Sequence, residues 1–566
     1  MKTHSQRSIN DYARGVVARR IVAGKWVRLA CARHLADLEL AKDPGYPYRF
    51  DAVKALRAVR FIEQLPHVKG RWAAKRQRLD LGSWQVWCVG CLFGWVRKSD
   101  GLRRFREAYL ELARKNGKSV LAAAIGLYCL VADGEFGAEV YSGATTEKQA
   151  WEVFRPARLM AKQTPDLTAH YGVEVNASNL LRLEDFARFE PLIGKPGDGA
   201  SPSCSIVDEF HEHDTPDLYD TMMTGMGARE QPLMLVITTA GVNLAGPCYE
   251  KRVEVQRMLD GSVPSDRLFG VIYALDEGDA WTDPAVWPKA NPNLGVSVSA
   301  DYLEAQVAQA VRQPSKQSSV LCKHFNVWTG AKAAWLNMEQ WRACGDERLR
   351  AADFAADPCF VGLDLATRID IAARVDVIAR VVEGRTHYYA FPNFYLPESA
   401  MDSAKNAQVY RGWAAAGYLD IVAGDEIDLA GIQAELLALP GEMNLAEVAY
   451  DPWQSAQIAQ ALRAEGVQAI EFRQTVANMS PAMRELEAAI ASGRFHHPDN
   501  PVLNWMAANV VAKSDAKDNI YPRKELPENK IDGIVALLMG VGRVMVEREA
   551  TFDFAAATSV VSLRYG

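Results

Sequence analysis

The sequence predicts an α/β protein built from more than one domain. Strand-like apolar runs alternate with segments of helical periodicity along most of the 566 residues, and this alternation is typical of mostly parallel sheets. A chain of this length exceeds what one hydrophobic core usually holds, so we expect two or three domains. Acidic residues end predicted strands in both halves of the chain, and each half therefore contains a candidate site of its own.

The composition is that of a globular protein and argues against membrane and secreted classes. Hydrophobic residues make up 49% and charged residues 24% of the chain, close to globular averages. The longest apolar run, residues 120–132, is too short to span a bilayer. The N-terminus has charges but no apolar signal region, so we expect no secretion. Nine scattered cysteines favour a reducing cytoplasm. The net charge of −6 argues against a simple basic nucleic-acid binder, but not against a local basic channel.

Residues 1–78 are predicted as a helical N-terminal extension, because apolar residues recur there at helical spacing. The extension ends in a basic stretch, residues 69–78, which contains one aromatic residue, Trp72. Such a stretch can contact a nucleic-acid backbone, but we interpret it as a solvated linker. No residue of the extension has a predicted catalytic role.

A phosphate-binding loop is predicted between a short strand at residues 109–113 and a buried helix at residues 120–130. The turn consists of Arg114, Lys115, Asn116, Gly117, Lys118 and Ser119. In this layout backbone N–H groups at the helix N-terminus face phosphates, the lysine reaches the β- and γ-phosphates, and the serine hydroxyl binds Mg²⁺. Leu112 replaces the first glycine of the usual pattern, so the motif alone leaves an ordinary helix start open.

A second predicted strand, residues 204–209, ends in Asp208 and Glu209. An aspartate at this place binds the Mg²⁺ of a nucleotide hydrolase, and a following glutamate orients or deprotonates the attacking water. A solvated acidic strand end is the alternative. Because both motifs lie on predicted strands of one α/β domain, we interpret residues 79–250 as a P-loop ATPase domain with a mostly parallel sheet.

Polar residues on two further stretches complete the predicted nucleotide site. Gln85 precedes the loop, and its amide can read adenine because it both donates and accepts hydrogen bonds. An apolar strand at residues 233–237 is followed by Thr238 and Thr239, whose hydroxyls can sense the γ-phosphate, although a polar strand end would look the same. Helical patterns and Pro-containing loops then predict a lid or linker subdomain at residues 251–335.

Three acidic residues of the second half are predicted to form a metal site. Asp364 and Asp451 lie at the ends of predicted strands, and Asp532 lies in the first turn of a predicted helix. Mg²⁺ or Mn²⁺ prefers such oxygen ligands, and two ions about 4 Å apart can activate water for phosphodiester hydrolysis. Asp370 is a weaker fourth candidate. Each acid alone would be interpreted as a surface residue, but together they predict a nuclease in residues 336–549.

Over residues 10–545 the chain resembles the large terminase subunits of tailed bacteriophages, in the group with a helical N-terminal extension. The resemblance rests on seven stretches that occur in the family's order. They are residues 81–85, 113–119, 206–209, 237–241, 362–365, 450–452 and 530–533. An arginine commonly opens the phosphate loop in this family, as Arg114 does here.

The resemblance implies an ATP-driven motor that translocates double-stranded viral DNA into the procapsid. It also implies an RNase H-like nuclease domain that uses Mg²⁺ or Mn²⁺ and cuts concatemeric DNA when packaging starts and ends. The implied partners are the DNA, the portal protein, the small terminase subunit and further copies of the chain, in a ring of about five. The protein would act in the host cytoplasm and transiently at the portal vertex, without a membrane partner.

The resemblance also assigns roles to the candidate residues of the ATP site. The implied nucleotide-binding residues are Gln85, Arg114, Lys115, Asn116, Gly117, Lys118, Ser119, Asp208, Thr238 and Thr239. Among them, Ser119 and Asp208 would hold Mg²⁺, while Thr238 and Thr239 would couple hydrolysis to movement. Glu209 would activate the attacking water.

For the nuclease, the resemblance implies that Asp364, Asp451 and Asp532 bind the catalytic metals. A ring ATPase also needs a positive residue that reaches the γ-phosphate from a neighbouring subunit. Arg229 is our first candidate, and Arg114 could act within its own subunit. Ordinary surface or DNA-facing positions are the alternative for both arginines.

Two other classes of function stay open at the level of sequence. A helicase-like or repair ATPase with an appended nuclease would unwind duplex DNA and would need no portal. A structural portal-associated protein with a vestigial nucleotide site would account for Leu112, but the intact lysine, serine and acids of the motifs count against it. The Ala-rich tail at residues 550–566 either lacks fixed structure or docks on a portal.

Overall fold

The computed structural model describes residues 4–193, 199–244, 246–329, 335–365, 371–403, 406–515, 518–525 and 528–562. Asp370, the weaker acidic candidate, lies outside these residues. The chain forms two compact units, one consisting of Met1–Ala310 with Ser319–Thr329 and the other of Val311–Ser318 with Gly330–Gly566. Among the described helices, none is both long enough and apolar enough to cross a membrane.

The first half of the chain folds as a sheet covered by helices. The helices up to residue 325 are α1 (Gln6–Val17), α2 (Lys25–Leu40), α3 (Ala52–Gln64), α4 (Gly70–Ala74), α5 (Ser83–Gly94), α6 (Lys118–Val131), α7 (Glu147–Lys162), α8 (Pro165–Tyr171), α9 (Asp217–Gly225), α10 (Pro247–Leu259), α11 (Ala300–Arg312) and α12 (Pro314–Phe325). The strands are β1 (Tyr48–Phe50), β2 (Trp95–Arg97), β3 (Glu107–Glu111), β4 (Glu139–Ala144), β5 (Val173–Val175), β6 (Leu180–Arg182), β7 (Ala187–Ile193), β8 (Cys204–Asp208), β9 (Leu233–Thr238) and β10 (Leu268–Ile272).

Eight of these strands form one sheet in the order β10-β3-β9-β8-β4-β7-β6-β5. The six strands from β10 to β7 are parallel, and β6 and β5 continue the sheet in antiparallel pairs. The predicted mostly parallel sheet is therefore confirmed. Strand β10 was not predicted, because this apolar run is followed by Tyr273 and Ala274 and not by a polar strand end, so it could not be distinguished from a buried helix segment. It lies within the stretch interpreted as a lid, whose boundaries stay a prediction.

Helix α6 lies in the interior of the first unit, which fixes the position of the loop before it. Its residues from 121 to 131 are all buried, as expected for a helix that is apolar on every side. A Cβ atom on Gly126 would lie 2.7 Å from the ring of Phe189 on β7, so only glycine permits this approach of helix to sheet. The N-terminus of α6 is thereby held next to the C-terminal end of β3.

The second half of the chain contains a mixed sheet and a long C-terminal helix. The helices are α13 (Met338–Ala343), α14 (Glu398–Ser403), α15 (Ala407–Ala415), α16 (Leu429–Ala438), α17 (Pro452–Ala464), α18 (Val476–Ala491), α19 (Pro501–Asn509) and α20 (Asp532–Ser562). The strands are β11 (Cys359–Asp364), β12 (Ala372–Val382), β13 (Arg385–Pro397), β14 (Asp420–Val422), β15 (Leu445–Tyr450), β16 (Ala469–Glu471), β17 (Phe495–His496), β18 (Val510–Ser514) and β19 (Ile520–Lys524).

The main sheet of the second unit has the order β14-β13-β12-β11-β15-β16, with β17 also paired to β13. Strands β11, β12 and β13 are antiparallel, whereas β15 and β16 run parallel to β11. Helix α20 packs on β11 at Gly362, where the two backbones meet. This helix continues past residue 549 to Ser562, in keeping with the high helix propensity of alanine. The boundary between the nuclease domain and the tail at residue 549 stays a prediction.

Candidate functional site

The predicted phosphate loop connects β3 to α6. Gly117 has a left-handed φ of +83°, which glycine adopts without strain, and α6 begins at Lys118. The N–H groups of this first helical turn have no partner within the helix and can bind an anion. Nζ of Lys118 donates hydrogen bonds to the carbonyl of Leu112 at 2.9 Å and to Oγ1 of Thr239 at 2.8 Å. The lysine is therefore folded back against the ends of β3 and β9.

The side chain of Asn116 stabilises the loop from inside the protein. It is fully buried, and its amide nitrogen donates to the carbonyl of Ala113 at 3.1 Å and to Oδ1 of Asn291 at 2.9 Å. Its Oδ1 accepts a hydrogen bond from the backbone N–H of Asn293 at 3.1 Å. With both ends of the amide engaged in this way, a contact with phosphates is left to the backbone of Asn116.

The two basic residues at the start of the loop differ in surroundings. Lys115 is exposed, and its carbonyl accepts a hydrogen bond from Oγ of Ser297 at 2.6 Å. Arg114 is half-buried, and its guanidinium forms no hydrogen bond or ion pair with the residues that the structure describes. Its charge nevertheless contributes to lowering the pKa of both Lys118 and Glu209. Arg114 therefore lies close to the predicted site, and its guanidinium has no partner among the described residues.

Arg229 is engaged within its own chain, far from the phosphate loop in the sheet. Its Nε donates to the carbonyl of Ser201 at 2.7 Å, its Nη2 donates to the carbonyl of Gly137 at 3.0 Å, and it forms an ion pair with Glu139 at 3.5 Å. Glu139 begins β4, whereas the phosphate loop follows the end of β3. These contacts argue against a role on a neighbour's γ-phosphate, and that role stays a prediction.

Ser119 and Asp208 meet at the predicted magnesium position. Oγ of Ser119 lies 3.5 Å from Oδ2 of Asp208, the last residue of β8. Burial, and next to it the charge of Glu209, raises the pKa of Asp208 to about 7. A buried carboxylate whose ionised form is disfavoured in this way would gain from a bound cation. The hydroxyl and carboxylate oxygens are donors that suit Mg²⁺, so the residues fit this ion.

Glu209 contacts a residue that the sequence analysis did not single out, His211. Oε2 of Glu209 lies 3.2 Å from Nδ1 of His211. Burial alone would raise the pKa of Glu209, but His211 and Lys118 lower it to about 2, so the carboxylate is ionised. Both the Nδ1 atom and the backbone N–H of His211 also lie 3.1 Å from Oγ1 of Thr238. The position of His211 two residues after Glu209 was the available signal, but its function depends on a strand end that is distant in sequence.

A cavity of about 700 Å³ lies beside the loop. Gln85, Gly117 and Val120 line it from the loop side, and Lys69 and Trp72 line it from the basic stretch. The interpretation of residues 69–78 as a solvated linker is therefore incomplete, since several of them face this cavity. Oε1 of Gln85 accepts the backbone N–H of Gly82 at 2.9 Å, which leaves mainly the amide N–H₂ group for a ligand.

The three acids of the second unit are brought together by the fold. Strands β11 and β15 are parallel neighbours, so Asp364 at the end of β11 and Asp451 directly after β15 lie at the same sheet edge. Asp532 begins α20, which packs on β11. Burial, followed by the charge of Asp532, raises the pKa of Asp364 well above the usual aspartate range, and the charge of Asp451 adds to this shift.

The acidic group fits a cation, although it is not closed around one point. Oδ2 of Asp532 is buried and has no hydrogen-bond partner among the described residues, and burial raises the pKa of this carboxyl. Within the part of the chain that the structure describes, no three His, Cys, Asp or Glu side chains are grouped tightly enough to hold a single metal ion. Ligands spread over two ions about 4 Å apart would not need such a group.

Gln474 and Lys524 are polar neighbours of the acids that sequence reasoning missed. The amide N–H₂ group of Gln474 donates to Oδ1 of Asp364 at 2.9 Å. The positive charge of Lys524, at the end of β19, lowers the pKa of both Asp364 and Asp532 against the larger effect of burial. Neither residue belongs to a recognisable motif, and only the packing of the unit shows that they face the acids.

Comparison with known proteins yields matches to both halves of the chain. Residues 83–257 match the family model for the terminase large subunit, ATPase domain, and residues 262–548, half of the chain, match that for the terminase large subunit, endonuclease domain. Protein YmfN of Escherichia coli (strain K12) is 43% identical over 392 residues, which cover 68% of this chain and 86% of that protein.

Phage proteins of established name are also similar along most of the chain. The terminase large subunit of Enterobacteria phage HK97 is 28% identical over 463 residues, which cover 79% of this chain and 88% of that protein. The crystal structure of the HK97 bacteriophage large terminase aligns with a TM-score of 0.42 at 26% identity and covers 87% of this chain and 99% of that one.

Proposed function

The chain belongs to the terminase large subunit family, which combines ATP-driven DNA packaging with nuclease cutting, and we propose which of its residues carry out each activity. The ATPase assignment rests on one observation: the ends of β3, β8 and β9 lie next to the N-terminus of α6. There, Lys118 contacts Thr239 at 2.8 Å, and Ser119 lies 3.5 Å from Asp208. A helix N-terminus, a lysine, a hydroxyl and an acid are the groups that a bound nucleoside triphosphate requires.

ATP would bind with its triphosphate on the loop and its nucleoside in the neighbouring cavity. The volume of about 700 Å³ lies in the range of small-molecule sites. Gln85 would donate its free N–H₂ group to an acceptor nitrogen of adenine, and Trp72 would supply an apolar wall for the base. Lys115, Asn116 and Gly117 would contact the phosphates through the backbone.

Hydrolysis would use residues at the ends of β8 and β9. Ser119 and Asp208 would hold Mg²⁺, which would neutralise phosphate charge. Glu209 orients the attacking water and accepts its proton while the bond from the γ-phosphorus to the bridging oxygen breaks. Lys118 leaves its strand-end contacts to reach the phosphates, and Arg114 adds positive charge from the same subunit.

The nuclease site would consist of Asp364, Asp451 and Asp532. These carboxylates would hold Mg²⁺ or Mn²⁺, and the bound ions would activate a water and stabilise the negative charge on the leaving oxygen of the phosphodiester. Oδ2 of Asp532, which has no hydrogen-bond partner within the described ranges, and the raised pKa of Asp364 support this assignment, because a cation would satisfy both groups. Gln474 would orient Asp364 through its amide.

Membership of the family supports the partners that packaging requires. We propose that the substrate is double-stranded viral DNA and that the chain acts as a ring, of about five copies, on the portal protein. A small terminase subunit would select the DNA. The work would take place in the host cytoplasm at the portal vertex of the procapsid.

A comparison of two variants in two assays tests the separate sites. Lys118→Ala should abolish ATP hydrolysis while plasmid nicking with Mg²⁺ or Mn²⁺ continues. Asp364→Asn should abolish nicking while ATP hydrolysis continues. The matched controls are Lys162→Ala and Asp425→Asn, both exposed, which should behave as wild type in both assays. Normal nicking by Asp364→Asn, or normal hydrolysis by Lys118→Ala, would refute the corresponding site.

A further inference from the structure

His211 links the predicted catalytic glutamate to the strand that ends at the γ-phosphate side of the site. It lies in a short 3₁₀ turn, Phe210–Glu212, directly after Glu209. Glu209 itself has a left-handed φ of +47°, an uncommon conformation for a residue with a side chain. The turn bends the chain so that the imidazole folds back between the Glu209 carboxylate and the end of β9. Local geometry therefore brings together two residues from different strands.

The hydrogen bonds around the imidazole specify its orientation. The hydroxyl of Thr238 donates to the carbonyl of Thr239 at 3.0 Å, so its oxygen is the acceptor for Nδ1–H of His211 at 3.1 Å. The backbone N–H of His211 reaches the same oxygen at 3.1 Å. Thr238 is fully buried, and these two bonds attach the histidine firmly to the end of β9.

The contact with Glu209 is of a different kind. Its Oε2 lies 3.2 Å from Nδ1 of His211 but accepts no hydrogen bond within the described part of the chain, although this oxygen is buried. Nε2 of the same ring lies 3.3 Å from Oε1 of Glu212, and although burial alone would lower the pKa of His211, the two carboxylates raise it. The positive ring therefore attracts the Glu209 carboxylate while its Nδ1–H points to Thr238. An attraction of this kind limits where the carboxylate can lie, and it leaves the oxygen free to accept a hydrogen bond from water.

The same strand end also contacts the phosphate-binding lysine. Thr239, the residue after Thr238, accepts the hydrogen bond of Lys118 at 2.8 Å. Two consecutive threonines therefore contact the group that would bind phosphate and the group that would hold the catalytic glutamate. A shift of β9 when Lys118 leaves Thr239 would be transmitted to His211 through Thr238.

We propose that His211 is a positioning residue of ATP hydrolysis, which holds Glu209 in place from Thr238 and so makes the glutamate's position depend on the end of β9. This inference rests on the proposed function of Glu209. It concerns the rate of the chemical step and not the binding of ATP, because His211 does not line the nucleotide cavity or belong to the phosphate loop.

The test compares His211→Ala and His211→Asn in steady-state ATPase and equilibrium binding of a fluorescent ATP analogue. His211→Ala should lower kcat about 100-fold, the usual effect of a misplaced catalytic group, while the affinity for the analogue changes less than about twofold. Asparagine carries an N–H group close to the position of Nδ1 and should restore at least a tenth of the wild-type kcat. His170→Ala, an exposed histidine on α8, is the control.

A double-mutant comparison shows whether His211 and Thr238 act together. Thr238→Val should lower kcat to a similar extent, and the double variant His211→Ala/Thr238→Val should be no slower than the slower single variant. If the decreases in kcat of the two single variants multiply in the double variant, the proposal is overturned. A normal kcat in His211→Ala, or the loss of ATP affinity in a folded His211→Asn protein, would also overturn it. Should His211→Ala not fold, as judged by circular dichroism, His211→Asn and Thr238→Val decide the matter.

Glu209→Gln separates this inference from the proposed function. If Glu209→Gln is inactive and His211→Ala is normal, only the role of His211 is refuted. If Glu209→Gln hydrolyses ATP normally, the assignment of the glutamate is wrong and the inference fails with it.

Discussion

Gly362 and Ala536 mark the place where α20 lies directly on β11, because a Cβ atom on Gly362 would lie 1.9 Å from the carbonyl oxygen of Ala536. Asp364 lies two residues after this contact, and Asp532 lies one helical turn before it. The separation of the two acids is therefore determined by a backbone contact that only glycine allows. No charged residue takes part in this contact, yet the geometry of the acidic site depends on it.

Substitution of this glycine should separate the two acids. Gly362→Ala should destabilise the second unit by about 3 kcal/mol, the upper range for overpacking, and plasmid nicking should fall more than tenfold while ATP hydrolysis is unchanged. Thermal melting followed by both assays measures this. Gly412→Ala, in α15 with open space around it, should leave all three quantities as they are. Wild-type nicking by Gly362→Ala would show that the helix position does not control the acids.

The raised pKa of Asp364 predicts how stability depends on pH and metal. An acid whose pKa is higher in the folded than in the unfolded state stabilises the fold at low pH, and this contribution is lost as pH rises from about 4 through the folded pKa. Asp364→Asn removes the buried charge. In EDTA at pH 8, Asp364→Asn should therefore raise the melting temperature of the metal-sensitive transition by about 2–4 °C. This shift corresponds to a gain of about 1 kcal/mol in the free energy of unfolding.

Divalent metal should reverse the order of the two melting temperatures, so that the wild-type protein melts above Asp364→Asn. Mg²⁺ should stabilise the wild-type protein in proportion to its binding, and more at pH 8 than at pH 5, whereas Asp364→Asn should not respond. Differential scanning calorimetry with and without Mg²⁺ measures the difference in melting temperature between the two proteins and the response of each to the metal. Asp425→Asn serves as the exposed control. A metal response that is equal in the wild-type protein and in Asp364→Asn would contradict the assignment of this ligand.

The fold around the phosphate loop could be predicted because local signals were strong there. Strands β3, β8 and β9 are apolar runs that end in polar residues, and α6 is apolar on every side. The hydrophobic pattern and the residues at the ends of these elements therefore predicted the same structure. Strand β10 is as short as β3 and β8, but Tyr273 and Ala274 follow it in place of a polar strand end, so it was not predicted. The tail at residues 550–566 was interpreted as a separate segment, and its described residues continue α20 to Ser562.

The site was predictable only where residues belong to motifs. Lys118, Ser119, Asp208 and Glu209 follow one another in a known order, whereas His211 depends on a contact with Thr238 across the sheet. Asn116 was in the motif, but the sequence did not show that its side chain is buried against Asn291. Tertiary packing, which has no local signal, decides such cases.

The hydrogen bond between Lys118 and Thr239 should affect stability differently with and without nucleotide. Thr239→Val removes one of the acceptors of a buried ammonium, so the nucleotide-free protein should lose about 1.5–3 kcal/mol. A bound triphosphate supplies new acceptors to Lys118, so a slowly hydrolysed ATP analogue should raise the melting temperature more in Thr239→Val than in wild type. Thermal shift assays measure both, with the exposed Thr145→Val as control. Equal shifts in the two proteins would mean that the lysine keeps its strand-end contacts when nucleotide binds.

The cavity wall formed by Trp72 should determine ATP affinity without affecting chemistry. Trp72 packs against His67, with ring centroids 5.0 Å apart, and both residues line the cavity next to Gly117. Contact of a base with an aromatic wall contributes about 1–3 kcal/mol, so Trp72→Ala should raise KM for ATP about tenfold or more and leave kcat within twofold. Phe136→Ala, an exposed aromatic residue, is the matched control. Because the effect arises from the base alone, inorganic triphosphate should inhibit Trp72→Ala and wild type equally. A fall in kcat with unchanged KM, or weaker inhibition of the variant by triphosphate, would instead show that the basic stretch supports the phosphate loop and does not contact the base.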